Sequence, residues 1–310
     1  MSIRKIGEKL REGIELTEEE KLEFDNFREA HNIIIKLFTI ELKKVNFSKQ
    51  HLTASRNKRI ETIISKLRRP EKPKLDRIHD IAGTRIIFEN IKSLEDYIDI
   101  LENTELVNFK EKINEDKNRY NYIKNPKSDG YRSIHKVFYY SSNIPYSTLN
   151  EKSFNLENKK IELQLRTRLQ HIWATTVEIY DIINKSNIKT GTHNKLETKE
   201  GLFFKKCSLV FEGIESNDVE KIKININEIF RDKDLVEIYN RLKGIKNIKN
   251  IQLPKTLGSD EVFILITDLN KGKTTFFTTD PIEKNDKQDT FLINASYRRL
   301  EEKNTKGEYI

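Results

Sequence analysis

The chain has 310 residues, of which 36% are hydrophobic and 34% charged, and its 57 Lys and Arg against 49 Asp and Glu give a net charge of +8. No run approaches the ~18 uncharged apolar residues that a membrane span needs. The opening Met1-Ser2-Ile3-Arg4-Lys5 leads into charged residues and not an apolar signal core, and the single cysteine, Cys207, excludes an internal disulfide. These features predict a soluble, cytoplasmic protein of about two domains. The basic balance suits polyanionic partners such as nucleotides or RNA, although abundant Lys, Asn and Ile are also what low-GC coding produces.

Thr17-Glu18-Glu19-Glu20 is a capping-box signature. Behind it Phe24, Phe27, Ile34, Phe38, Leu42 and Val45 recur at helical spacing, which predicts a long helix to about Val45. A second helix is predicted from Arg56 to Arg69, with Ile60, Ile63, Ile64 and Leu67 as its apolar stripe and Pro70 and Pro73 ending it. Next come a strand at Thr84–Phe88, a helix around Leu94–Leu101, a strand near Leu106–Phe109 and a Lys-rich loop from Asn114 to Gly130. Strands at Ile134–Tyr140 and Lys160–Arg166 precede a helix from Arg168 to about Ile183. The polar stretch Asn184–Lys199 reads as a boundary. Beyond it are two or three helices up to Leu242, a hairpin pairing Val262–Thr267 with Thr274–Thr279, and a last helix near Asn294–Lys303.

Four clusters are candidates for chemistry. Arg56, Arg59, Lys66 and Arg69 fall at i, i+3, i+10 and i+13, one face of the predicted second helix, with Lys58 near its start. Such a row suits polyphosphate, which needs several cations on a rigid element, but a solvated basic face has the same pattern. Asp80, in Asp80-Ile81-Ala82-Gly83-Thr84-Arg85, is a carboxylate just before a buried strand, suited to Mg²⁺ beside a phosphate. His79-Asp80 also spells the dipeptide of HD-type hydrolases, but no further metal ligands accompany it.

The third cluster is the loop Lys124 to His135, where Lys127 offers charge, Tyr131 a face for a base and His135 a donor for phosphate. The fourth is Ile161-Glu162-Leu163-Gln164-Leu165-Arg166, whose alternation puts Glu162, Gln164 and Arg166 on one face of a strand. There Glu162 suits metal binding or deprotonation of an attacking hydroxyl. His171 and Trp173 on the following helix read as packing.

In this order the four clusters resemble the synthetase domain of the RelA/SpoT family, from about Phe47 to Asn184. Asp80-Ile81-Ala82-Gly83-Thr84-Arg85, Pro126-Lys127 through Gly130-Tyr131-Arg132-Ser133-Ile134-His135, and Glu162-Leu163-Gln164-Leu165-Arg166-Thr167 carry the likeness. The resemblance implies an α+β fold, a mixed β-sheet flanked by helices and nucleotidyltransferase-like, here followed by a C-terminal α/β extension. It implies transfer of pyrophosphate from ATP to the 3′-hydroxyl of GDP or GTP, with Mg²⁺. Arg56, Lys58, Lys66, Arg69 and Arg85 correspond to ATP-side cations, Asp80 and Glu162 to the catalytic and metal-binding carboxylates, and Lys127, Tyr131, His135, Gln164 and Arg166 to the acceptor side.

Two departures bear on the acceptor. Tyr120-Asn121 stands where the family commonly has a basic residue and Asp, and Glu178 stands where many members have His. The same chemistry on the 3′ end of tRNA, as a growth-arresting toxin or phage-defence effector, is therefore the alternative. A catalytically silent RNA- or nucleotide-binding regulator is disfavoured because both carboxylates are present. The expected organisation is an N-terminal helical segment at 1–46, the synthetase domain at 47–186, and an extension at 200–310 that gates the cleft or serves as a scaffold.

Overall fold

The computed structural model describes residues 2–112, 119–143, 146–147, 153–184, 198–244, 263–268 and 273–278. Its first helix, α1 (Ile3–Glu12), is capped by Ser2 and ends at Gly13 in the left-handed conformation. The capping box forms as the sequence predicts: Thr17 accepts from the Glu20 amide and the Glu20 carboxylate accepts from the Thr17 amide. It starts α2 (Glu18–Leu42), which buries Phe24, Ile34, Phe38 and Leu42.

The predicted second helix is corrected at its start. Residues His51–Asn57 form the edge strand β1, and α3 covers only Ile60–Leu67. Arg56 pairs with Gly83 across the sheet, so it lies on a strand and not on a helix face with Lys66. The apolar stripe belongs to Ile60–Leu67 alone. His51-Leu52-Thr53-Ala54-Ser55-Arg56-Asn57 is almost wholly exposed, so no alternation of apolar residues announces it as a strand.

The central strands read as predicted. They are β2 (Ala82–Phe88), β4 (Ile134–Tyr140) and β7 (Lys160–Thr167); α4 (Ile91–Glu102) follows β2, and β3 (Phe109–Glu111) starts later than expected, sharing only Phe109 with the strand read near Leu106–Phe109. The short strands β5 (Tyr146–Ser147) and β6 (Ser153–Phe154) pair with each other. The main sheet has the order β1-β2-β7-β4-β3, with β2 and β7 parallel and the other pairs antiparallel, which makes it a mixed sheet.

Period-two alternation sorts the faces. Ala82, Ile86 and Phe88 of β2 and Ile161, Leu163 and Leu165 of β7 turn inward against α2 and α4, forming a core with Phe38, Leu94, Tyr97, Phe109 and Phe138. A second cluster joins Ile6, Phe24, Ile63, Leu67, Leu75 and Ile81 beneath α1 and α3.

After α5 (Arg168–Asn184) come α6 (Lys199–Ser216), α7 (Val219–Arg231) and α8 (Lys233–Gly244). The chain divides into two compact units, residues 1–235 and 236–310, so α6 and α7 belong to the same unit as the main sheet. The second unit contains the predicted hairpin, β8 (Phe263–Asp268) with β9 (Lys273–Thr278). The helix predicted near 294–303 lies outside the described residues. No described helix is long and apolar enough to cross a membrane.

Phe38 is fully buried, its ring 4.9 Å from that of Phe109 and 5.0 Å from that of Phe138. Phe38→Ala is expected to cost about 3–5 kcal/mol through lost contacts and the cavity left behind. The shift in urea midpoint at constant slope measures it; a loss typical of a surface site would place Phe38 outside the core.

Candidate active site

The face of the sheet turned away from α2 and α4 carries the polar residues of the motifs. Register fixes which of them meet: Gly83 lies opposite both Arg56 and Glu162, and Gln164 lies opposite both Arg85 and His135. Neighbours in register share a face, so residues from four strands converge on one patch. Gly83 contributes no side chain there, which leaves room above the sheet between Arg56 and Glu162.

At one end, Asp80 is held by two lysines. Its Oδ2 accepts from Lys58 Nζ at 2.7 Å and its Oδ1 from Lys66 Nζ at 2.8 Å. Lys58 comes from the link between β1 and α3 and Lys66 from the last turn of α3, so the strand-to-helix turn brings together what the sequence places eight residues apart. Burial acts to raise the Asp80 pKa, but the charges and hydrogen bonds of Lys58 and Lys66 outweigh it and hold the carboxyl far below the usual range. Burial lowers the Lys58 pKa, against the opposing pull of Asp80.

A second network runs through Glu162. Its Oε2 accepts from Gln164 Nε2 at 2.7 Å, and its Oε1 lies 3.1 Å from His135 Nδ1. His135 Nε2 lies 2.8 Å from the Tyr131 hydroxyl, which accepts from Arg166 Nη2 at 2.6 Å. In the neutral ring, His135 Nδ1–H donates to Glu162 and Nε2 accepts the Tyr131 proton; the protonated ring keeps the Nδ1–H bond and sets a positive charge beside Glu162. Gln164 Oε1 in turn accepts from Arg85 and Arg166 at 3.1–3.2 Å.

Burial pushes the Glu162 carboxyl up, yet the charge and hydrogen bond of His135 and the Gln164 amide bring it down to about 2. Burial and the nearby Arg166 and Arg56 guanidinium groups lower Arg85 to about 10. Burial first, then the charges of Arg85 and Arg166, also lower the pKa of His171, which places this histidine in the same positive field. Arg166 is 3% exposed, and its Nε and Nη1 have no hydrogen-bond partner among the described residues.

Tyr131 forms the rim. Lys127 Nζ sits 4.5 Å from the Tyr122 ring centroid and 5.0 Å from that of Tyr131, and the Arg166 guanidinium is 5.0 Å from the Tyr131 ring. The ring is partly exposed, a planar surface bounded by cations.

The structure thus gathers Lys58, Lys66 and Asp80 in one group, and Arg85, Tyr131, His135, Glu162, Gln164 and Arg166 in another, with Lys127 beside them. Arg56 lies on the same face at the edge strand. Arg69 lies beyond α3, exposed. Tyr122 and His171 are additions. Tyr122 packs its ring edge against Tyr131 and His135, and His171 was read from sequence as packing alone.

The residues fit Mg²⁺ in their chemistry, since Asp80 and Glu162 are two ionised carboxylates close enough for the charge of one to raise the pKa of the other. Both Asp80 oxygens are engaged by lysines, so a cation there replaces an ammonium. No cluster of three or more His, Cys, Asp or Glu suited to a metal occurs among the described residues.

Residues 55–189 match the family model described as the region found in RelA/SpoT proteins. Through that region the chain is similar to the RelA/SpoT family. GTP pyrophosphokinase YwaC of Bacillus subtilis (strain 168) is 32% identical over 157 residues, an alignment spanning 48% of this chain and 66% of the relative, just under two thirds of its length. Among solved structures, small alarmone synthetase 1 from Bacillus subtilis aligns at 21% identity and a TM-score of 0.48, over 66% of this chain and 98% of that one. The same enzyme bound to its product pppGpp aligns at 22% identity and a TM-score of 0.48, over 64% and 95%.

The acid limb of stability tests the network. Asp80 and Glu162 have folded pKa values below their ordinary 3.8 and 4.5. Each contributes stability that is fully present above the unfolded value and is lost as pH falls through the folded one. The stability gap between wild type and Glu162→Gln, read from urea midpoints, should therefore shrink as pH falls from about 5 to about 2. A gap that stays constant or widens contradicts the assignment.

Proposed function

We propose that this protein is a pyrophosphokinase that moves the β,γ-pyrophosphate of ATP to the 3′-hydroxyl of GDP or GTP, releasing AMP. One observation carries the reading: two carboxylates kept ionised on a cation-lined sheet face, with an aromatic ring at its rim. In the balanced reaction the acceptor 3′-oxygen forms a bond to the β-phosphorus. The bond from that phosphorus to the oxygen bridging the α-phosphate breaks, AMP leaves with the electron pair, and the hydroxyl proton is lost to solvent. Such a transfer asks the protein mainly for positioning and charge neutralisation.

Lys58, Lys66 and Arg85, with Arg56 at the edge, are assigned to the ATP phosphates, and exposed Arg69 to the outer end of the chain. On nucleotide binding the two lysines exchange part of their contact with Asp80 for phosphate oxygens. Asp80 and Glu162 are assigned to Mg²⁺, which when bound supplies charge neutralisation of the transferred group. The low pKa of Glu162 suits a permanent anion better than a general base, whose pKa should lie nearer the working pH. Tyr131 stacks on the acceptor base, and Lys127, His135 and Arg166 serve the acceptor phosphates, with Gln164 bridging the two halves through Arg85 and Glu162.

Asp80→Asn and Glu162→Gln keep shape and remove charge, so each folded variant should lose about 10²–10⁴-fold in kcat. Tyr131→Ala should weaken acceptor use by about 1–3 kcal/mol and leave ATP binding unchanged. Labelled ATP offered separately with GDP, GTP and deacylated tRNA reads both effects and the acceptor. Near-normal turnover in either carboxylate variant removes that residue's role. Label on tRNA alone, with a steep loss as salt rises, replaces the guanine nucleotide by an RNA end.

A further inference from the structure

Helix α6 lies outside the matched region 55–189, yet it is bonded to that region at three levels. Near its start, the Phe204 carbonyl accepts from the buried Trp173 Nε1 at 2.7 Å. One turn on, Ser208 Oγ donates to the Gly130 carbonyl at 2.6 Å. Gly130 has φ +92°, and a Cβ there would lie 2.9 Å from Ser208 Cβ and 3.2 Å from Lys205 Cα. Only glycine satisfies both that backbone angle and that approach.

The third level is Glu215, with its side chain 5% exposed. Its Oε2 accepts from Arg132 Nη1 at 2.6 Å, and Arg132 is itself 6% exposed. Its Oε1 accepts from the Thr167 hydroxyl, and both oxygens lie 3.3 Å from Gln170 Nε2. Thr167 and Gln170 form a capping box at the head of α5: the Gln170 amide donates to Thr167 Oγ1 and the Thr167 amide to Gln170 Oε1, each at 3.2 Å. Glu215 therefore ties a loop corner to a strand–helix junction.

What lies beside those anchors matters. Tyr131 sits between Gly130 and Arg132, and Arg166 immediately precedes Thr167. Both partners of the 2.6 Å hydrogen bond from Arg166 to Tyr131 are thus flanked by residues fastened to α6. A buried ion pair adds little net stability against an apolar replacement, but it fixes geometry, because a shifted arrangement leaves a charge unpaired.

We infer that Glu215 is a positioning residue for the acceptor side of the cleft, and that α6 sets the relative placement of Tyr131 and Arg166. This rests on the function proposed above only for its kinetic arm. Glu215 is bonded to Arg132, Thr167 and Gln170, and it acts through Arg132 and Thr167.

Glu215→Gln, Arg132→Gln and their combination test it, with Ser208→Ala as a milder variant should either single fail to fold. Emission of Trp173, the one tryptophan in the sequence, checks that α6 remains docked. Glu215→Gln should raise the KM for GDP or GTP about fivefold or more with the ATP KM within about twofold, and speed amide exchange of the 127–135 segment. The double variant, with no buried charge left unpaired, should recover about half of that loss on a logarithmic scale. Ser208→Ala should move both readouts in the same direction. Unchanged acceptor KM and unchanged exchange, or equal rises in both KM values, overturn the proposal. If wild type transfers to neither GDP nor GTP, the proposed function fails, and exchange in 127–135 alone decides whether Glu215 positions the loop.

Discussion

The parallel pairing of β2 with β7 is the constraint on which the candidate site depends. It sets Gly83 against Glu162 and Arg85 against Gln164. Because the side-chain period in a strand is two, a one-residue slip would send Glu162 and Gln164 into the apolar core and Leu163 and Leu165 to the open face. The register is pinned by burial: Ile161, Leu163 and Leu165 are all fully buried, as are Ala82 and, within 1%, Ile86 and Phe88. The same hydrophobic burial that stabilises the sheet thereby aims its polar residues.

That arrangement puts many charges on a small surface, and its two carboxylates are matched. Asp80 is balanced by Lys58 and Lys66, and Glu162 by His135 and Gln164. Arg85 and Arg166 share the Gln164 carbonyl oxygen, a single acceptor between two cations. Unsatisfied nitrogens remain on Arg166, and a buried donor without a partner is costly. An anionic acceptor group placed against Arg166, as the proposed function requires, would offset that cost.

Legibility in the sequence followed the strength of the local signal. β7 was readable because Ile161, Leu163 and Leu165 alternate with polar residues, β2 and β4 as short runs rich in β-branched and aromatic residues, and α2 because Thr17 and Glu20 spell its cap. The split of Glu162, Gln164 and Arg166 from the leucines between them came from the same period-two argument. β1 was not readable: it is an edge strand with nearly every side chain in solvent, so nothing apolar alternates, and its one arginine, Arg56, falls at helical spacing with the helix that follows. The proximity of Lys58, Lys66 and Asp80 depends on the chain reversing between β1 and α3 and then returning into β2, which no local pattern encodes. The link from Tyr131 through His135 to Glu162 likewise depends on strand register. His171 gave no cue beyond its residue type, since its environment is set by Arg85 and Arg166 from two different strands. The role of α6 was also hidden, because its contacts with Gly130, Arg132 and Thr167 cross between forty and eighty-five positions of sequence.

The central claim is that neighbouring donors and cations hold the two site carboxylates ionised before any substrate arrives. A ¹³C NMR titration of the Asp80 and Glu162 carboxyl carbons in the free protein tests it most directly. Glu162 should titrate at about 2, well below its ordinary 4.5, and Asp80 well below 3.8. A Glu162 carboxyl that titrates at or above 4.5 would mean that burial outweighs His135 and Gln164, and it would contradict the account.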